Sequence, residues 1–357
     1  MSRIPRLALV AAVAAGLSLA AAGPAVASPS SSVRVHVALS AYSGPPGAAV
    51  RVSGSGFAAR ETVDISFATT ADTADRTAGH TNRSGSFSGV LIKVPVGTVP
   101  GDYRIRAVGR RSGRRGGATF TVHTNWAQYG YGPGRTGYNP DENVLSPSAV
   151  PGLALAWHFA TGNEVFSSPA VVNGVAYVGS LNSAVYALNA ATGARRWVFH
   201  TDGGVASSPP VVGGVVYVGT DHTDVGDLLA FNAATGKRIW DIQDSNGAVD
   251  AAPAVANGVV YWAASGSVYA TDAATATNLW SFNLSPMEMQ SDPAVADGVV
   301  YFGADDGNLY ALDTATGSKL WSFSTGSAIQ NSPAVADGRI YIGSDNGNEY
   351  AFALPGS

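Results

Sequence analysis

The 357-residue chain contains no cysteine. Disulfides, thiolate metal sites and a cysteine nucleophile are therefore excluded, and the fold must rest on its cores and hydrogen bonds. Charge is scarce as well: Asp, Glu, Lys and Arg supply 13 % of the residues against 46 % apolar types. That balance excludes a disordered polyelectrolyte. No H-E-x-x-H, Walker loop or G-x-S-x-G elbow occurs, which removes the best-marked hydrolase and nucleotide-binding classes. The histidines, His36, His80, His123, His158, His200 and His222, show no ligand spacing and read as solvated or rim residues. Glycine (43) and proline (19) are plentiful, as expected of many short strands joined by tight turns.

Long apolar runs are also few. One lies at the N-terminus, where Leu7 to Ala22 follows Arg3 and Arg6 and precedes Ala25-Val26-Ala27. This order predicts a signal peptide over residues 1–27, cleaved after Ala27. A membrane anchor is the alternative, but this mostly alanine stretch is short for a hydrocarbon core of ~30 Å. The expectation is a soluble, secreted protein of the envelope exterior with no membrane span.

Charge divides along the chain. Residues 31–123 hold 12 basic and 5 acidic side chains, a net of +7; residues 124–357 hold 7 and 20, a net of −13. A basic module is thus joined to an acidic one.

Residues 33–123 form the first domain. Alternation in Ala49-Val50-Arg51-Val52, Val63 to Phe67, Tyr103 to Ala107 and Thr119 to Val122, punctuated by Gly44-Pro45-Pro46-Gly47 and Pro100-Gly101, predicts a β-sandwich. The stretches Pro46 to Phe57 and Pro100-Gly101-Asp102-Tyr103 resemble bacterial Ig-like/IPT-type modules, which implies a spacer or adhesion unit. Gly54-Ser55-Gly56-Phe57-Ala58-Ala59 matches a degenerate dinucleotide fingerprint, but no helix follows to present its N-terminus to a phosphate. The run Arg110 to Gly117 places four arginines among small residues. It reads as a solvated hairpin tip or as a contact for an anionic envelope polymer; without interleaved aromatics, nucleic acid is the least expected partner.

A lead-in over 124–152 precedes a repeat. Prolines at 169, 209, 253, 293 and 333 are each followed eight residues later by tyrosine, and tryptophans fall at 157, 197, 240, 280 and 321. A period near 40 predicts β-propeller blades. The pairs Asn173-Gly174, Gly213-Gly214, Asn257-Gly258, Asp297-Gly298 and Asp337-Gly338 suit type I′ turns between strands A and B of each blade.

The motif A-x-[DN]-x-x-T-G-x-x-x-W, met at Ala187 to Trp197, Ala230 to Trp240 and Ala311 to Trp321, resembles the PQQ-like repeat family. In Ala270 to Trp280, Ala276 replaces the glycine, and a distorted turn is expected. The resemblance implies a five-bladed propeller over 153–357, with Trp157, Trp197, Trp240, Trp280 and Trp321 docking between blades. The lead-in from Trp126 through Arg135 to Leu153 is similar to the segment before the family's first repeat. Quinone-using relatives have eight blades, adjacent cysteines and a calcium site; five repeats without cysteine imply no cofactor here. The fifth repeat lacks a Trp-bearing strand D, whereas Leu155-Ala156-Trp157-His158-Phe159 stands alone. The expectation is that this segment completes the last blade and closes the ring, because an open ring leaves a strand edge exposed.

The connections from strand D to the next strand A contain Glu164, Asp250, Glu288, Gln290, Asp292, Gln330 and Asn331. Together they would form an acidic, amide-rich channel mouth suited to a protein, peptide or glycan ligand. Calcium is a candidate beside Asp221, Asp224 and Asp227. The function expected is noncatalytic binding or scaffolding, with the basic domain as spacer or envelope-docking module. An extracellular carbohydrate-active enzyme or a degenerate quinoprotein oxidoreductase is the alternative.

Overall fold

The computed structural model describes residues 34–68, 75–135, 137, 139–222, 225–244, 247–264, 266–284, 289–336 and 338–354. The expected signal peptide lies outside them. The architecture is all-β; the helical content among the described residues is one 3₁₀ turn at Val150–Gly152.

Eight strands build the N-terminal sandwich: β1 (His36–Leu39), β2 (Ser43–Gly44), β3 (Ala49–Ser55), β4 (Thr62–Ala68), β5 (Arg76–His80), β6 (Phe87–Lys93), β7 (Gly101–Gly109) and β8 (Arg115–Val122). One sheet runs β1-β3-β6 and the other β2-β8-β7-β4-β5. Alternation sends Val50, Val52, Val63, Ile65, Phe67, Ile105, Phe120 and Val122 into a shared core, each worth about 1.5–3 kcal/mol when buried. Phe67 anchors it, stacked on Tyr103 at 5.2 Å and edge-on to Phe120 at 6.3 Å.

The Arg110–Gly117 run is less free than a solvated tip. Arg110 grips Asp64 at 2.8–3.0 Å, Arg111 donates to Ala59 O, and Arg114 donates to Gly56 O and Phe57 O. Glu61 locks the same turn, accepting from the N–H groups of Ala58, Arg111 and Ser112 and from the Ser112 hydroxyl at 2.6–3.2 Å. Burial alone would raise this carboxyl, but the Ser112 hydroxyl and the three N–H groups outweigh it and hold the pKa at about 2 against an ordinary 4.5. A depressed pKa stabilises the fold above the unfolded value and is lost on acidification. The sandwich transition in calorimetry of the full chain should therefore weaken as pH falls from about 4.5 towards about 2. Glu61→Gln should lower it by about 1.5–3 kcal/mol at neutral pH and flatten that slope, leaving the part due to Asp64, whose carboxyl the Arg110 guanidinium also holds down. An unchanged slope in the variant would refute this role.

The propeller has five sheets. Blade one contains strands A (Ala170–Val172), B (Val175–Ser180), C (Ala184–Asn189) and D (Arg195–His200), all antiparallel. Blades two, three and four repeat this order, each as a four-stranded sheet. Positive φ at both Asn173 and Gly174, and likewise at 213–214, 257–258 and 297–298, gives the expected A–B turns.

Between strands C and D, Asn189 Oδ1 accepts from the N–H groups of Ala191 and Thr192, and Asn232, Asp272 and Asp313 do the same in their blades. Each turn carries the tryptophan of the preceding unit. Trp157 Nε1 donates to Ala190 O (2.9 Å), Trp197 to Ala233 O (2.8 Å), Trp240 to Ala273 O (3.0 Å) and Trp280 to Thr314 O (2.8 Å). The turn glycine is required twice over: Gly193 has φ +70°, and a Cβ there would lie 2.7 Å from the Trp157 ring. Ala276 occupies the equivalent place at φ +60°, so this turn keeps its shape and stores strain instead of distorting.

Blade five departs from the expectation. Its sheet has three strands, Ala334–Ala336, Arg339–Ser344 and Asn348–Ala353. Leu155 to Phe159 forms no strand, and no backbone hydrogen bond joins it to 348–353 among the described residues. The segment is held by blade one, where Trp157 and Phe159 pack on Ala184, Tyr186 and Leu188. Docking on the following blade and pairing with the preceding one are separable, and packing secures only the first. Trp321 correspondingly lacks a complete turn to cover it and remains 38 % exposed, in a cleft of about 720 Å³ shared with Tyr301, Ile340 and Phe352.

Candidate functional site

Strand A is innermost in each blade, so one of its edges faces the axis and needs partners. The lead-in supplies them. Trp126 exchanges both backbone bonds with Val171 of blade one (2.7–2.8 Å), and Ala127 O accepts from Val211 N of blade two (2.7 Å). The Gln128 side chain does the same for blade three, accepting from Val255 N (2.9 Å) and donating to Val255 O (3.1 Å). Pro133 O then accepts from Val295 N (2.8 Å) and Gly134 O from Val335 N (3.1 Å). Five equivalent valines, two residues after the repeat prolines, thus converge on one ten-residue hub.

Arg135 ties the hub down. Its Nε donates to Pro293 O and its Nη2 to Ala252 O, both at 2.8 Å. Its Nη1 lies 3.5 Å from Asp292 Oδ2, and the guanidinium sits 5.2 Å from the Tyr129 ring centre. Burial pulls the Arg135 pKa down, opposed by Asp292 and Tyr129. Arg135 (φ +53°) and Tyr131 (φ +79°) occupy the left-handed region, strain that persists because neighbouring contacts over-determine it.

A latch joins neighbouring blades around the hub. Ser168 N donates to Ser208 Oγ, Ala252 N to Asp292 Oδ1 and Asp292 N to Ser332 Oγ. Among the described residues no hydrogen bond links Ser332 onward to Ser168. A cavity of about 720 Å³ opens there instead, between blades five and one. Trp126, Tyr129, Arg135, Ser168, Gln330 and Asn331 line it.

The residues expected at the mouth are therefore divided. Gln330 and Asn331 face this seam cavity. Asp292 is spent on the latch and on Arg135. Glu164 is exposed, and its backbone carbonyl receives Leu181 N and Ser180 Oγ. Asp250 is held above the usual carboxylate range by partial burial and then by Asp221. Gln290 is exposed, and Glu288 lies outside the described residues. Of the calcium candidates, Asp224 also lies outside them, while burial, then Asp202 and Asp241, raise Asp227. No metal-holding cluster of His, Asp and Glu forms among the described residues. The residues that sequence reading missed are Gln128, Tyr129 and Arg135. Their signal was a polar side chain and a cation in a glycine-rich segment leading into an acidic repeat array.

Several solved structures share the fold. BamB from Moraxella catarrhalis aligns at 21 % identity and TM-score 0.47, over 52 % of this chain and 60 % of that one. The quinohemoprotein alcohol dehydrogenase ADHIIG from Pseudomonas putida HK5 aligns at 23 % identity and TM-score 0.54, over 64 % and 46 %. A europium-containing methanol dehydrogenase aligns at 16 % identity and TM-score 0.55, over 64 % and 56 %. The chain spans about half the length of these structures, and the likeness is one of fold. No curated protein sequence matches. A macroglobulin-like domain model matches residues 31–122. The repeat model matches residues 101–264 and 264–354; its first stretch also takes in β7 and β8, which belong to the sandwich. By that match the chain belongs to the PQQ-like repeat family described as outer membrane protein assembly factor BamB.

Proposed function

We propose that this is a secreted, noncatalytic binding and scaffolding protein of the bacterial envelope exterior. Its propeller recognises a peptide or glycan at the seam cavity, and its Ig-like sandwich spaces or docks it. The observation that carries this reading is the hub. Residues 126–135 bond the inner strand of every blade with the chain's own backbone and the Gln128 side chain, and the recess beside them is the seam, where aromatic rings adjoin amides, hydroxyls and a guanidinium. Such mixed linings suit oriented polar ligands.

The axis does not fit a quinone. Residues 126–134 take up the backbone groups of one valine in each A strand, and the chain has no cysteine to stack on a ring. The signal-like N-terminus supports export, as does a family description that names the outer membrane. Among the described residues no helix is long and apolar enough to cross a membrane.

A peptide and glycan array probed with the full chain, followed by mass spectrometry of the bound species, tests the reading. Binding should fall at least tenfold in the Gln330→Ala/Asn331→Ala variant, with every ligand recovered chemically intact. A ligand altered by the wild type and left unaltered by the variant would make this an enzyme and overturn the proposal.

A further inference from the structure

Blade five ends in an open edge. Its last strand, Asn348–Ala353, pairs with Arg339–Ser344 on one side, and no backbone hydrogen bond reaches its other side among the described residues. We propose that this edge binds an extended basic–aromatic segment of a partner protein, which adds to blade five as its fourth strand.

The complete blades show what the edge lacks. In blade four, strand D (Lys319–Ser324) pairs with strand C (Asn308–Asp313), setting Trp321 opposite Ala311 and Phe323 opposite Leu309. Asp313 N donates to Ser318 O on that side. Ala351 faces Tyr341 as Ala311 faces Tyr301, so the two strands correspond residue by residue. With a period of two, the outward N–H and C=O groups of blade five are those of Glu349, Ala351 and Ala353, and all three residues are exposed. Such a row is a template for a further strand.

Glu349 decides which strand fits. Its place is held in the other blades by Val185, Leu228, Val268 and Leu309, each fully buried. They lie opposite Phe199, Ile242, Phe282 and Phe323 of their D strands. In blade five a carboxylate stands there, and it makes no hydrogen bond or ion pair among the described residues. If Leu155 to Phe159 paired here with Trp157 opposite Ala351, Phe159 would cover that carboxylate and leave the charge unpaired. The mismatch accounts for the missing pairing, and it applies equally to the same segment of a second copy. A lysine or arginine opposite Glu349 would instead form a cross-strand ion pair. The carboxylate thus guards the edge against indiscriminate pairing and admits a segment of opposite charge. The net −13 of residues 124–357 draws such a segment in.

The rest of the segment follows from the repeat. Each complete blade sets a tryptophan opposite the alanine that corresponds to Ala351. The turn before that strand closes over the preceding tryptophan, as Gly317 does over Trp280. In blade five no such turn covers Trp321 among the described residues, and the cleft beside it stays open. A partner bearing glycine, an aromatic residue at the spacing of Gly317 and Trp321, and a cation in the place of Phe323 would pair the edge and close the cleft together.

The test is fluorescence anisotropy of a labelled peptide copying residues 316–324 with Phe323→Lys, titrated with the full chain. It should bind about tenfold more tightly than the same peptide with Phe323→Glu, and more tightly than a scrambled peptide of equal composition. Glu349→Lys in the full chain should reverse the preference between the lysine and glutamate peptides. Ala351→Pro removes an outward N–H and spares the bonds to Arg339–Ser344. It should weaken binding about tenfold, with the far-ultraviolet circular dichroism of the wild type. Gln330→Ala alters the seam cavity and should leave peptide binding as it is, so failure of the edge and failure of the seam are read apart. The proposal is overturned by no peptide binding or by equal binding of the scrambled peptide. It is equally overturned by a preference that Glu349→Lys does not reverse, by an affinity that Ala351→Pro does not reduce, or by self-association that excludes the peptide and makes a second copy the occupant.

Discussion

Replacing Arg135 by alanine should destabilise the propeller by about 3–5 kcal/mol, the range expected when one partner of a buried ion pair is removed. Three losses coincide. The carbonyls of Pro293 and Ala252 lose their donors, Asp292 loses its countercharge, and the Tyr129 face loses its cation. Arg135→Lys should rescue little, because a single ammonium cannot reach two carbonyls and a carboxylate in a planar fork. Urea denaturation followed by tryptophan fluorescence measures the effect, since all seven tryptophans follow residue 124. A midpoint unchanged in Arg135→Ala would mean that the hub is ornamental and that the blades hold one another without it.

The second large effect distinguishes tryptophans that the sequence makes equivalent. Trp280→Ala should cost about 3–5 kcal/mol, as expected for emptying a buried aromatic site. The indole is 8 % exposed and donates to Thr314 O at 2.8 Å, and the Gly317 turn closes over its ring. Trp321→Ala should cost less than about 1.5 kcal/mol, because much of that ring already contacts water and little apolar area returns to solvent. Trp157→Ala should fall between them: it keeps the bond to Ala190 O but is only half-buried. Equal losses at Trp280 and Trp321 would indicate that blade five closes over Trp321 in solution. That would restore the ring closure expected from the sequence.

What could be read from the sequence was whatever one repeat decides for itself. A positive-φ pair at Asn173-Gly174, a side-chain cap at Asn189 and a tryptophan at a fixed offset from the turn that follows the cap are local requirements, each met in four blades. The hub is not local. Gln128 meets Val255 across 127 residues, and Arg135 meets Pro293 across 158; no periodicity marks the single segment that all five blades share. The expected mouth carboxylates illustrate the same limit. Asp292 and Asp250 look alike in sequence, yet one completes a latch and the other keeps its carboxyl apart from any latch. The run at 110–115 stands out by its density, whereas the neighbourhood of Arg106 and Arg76 arises only when three strands are laid side by side.

The hub also bears on how such an array can come apart. Stacked repeats usually behave as a one-dimensional chain, in which each unit adds its own term and a nearest-neighbour term. Here a segment that precedes the repeats in the chain is bonded to every one of them, so each blade is coupled to blades it never touches. Loss of a single blade should release hub bonds throughout and bring down the set, giving one sharp transition where an uncoupled array would fray from its ends. The long sequence separations carry a kinetic corollary: the hub is not fully partnered until the last blade arrives, and folding should be slow for a protein of repeats.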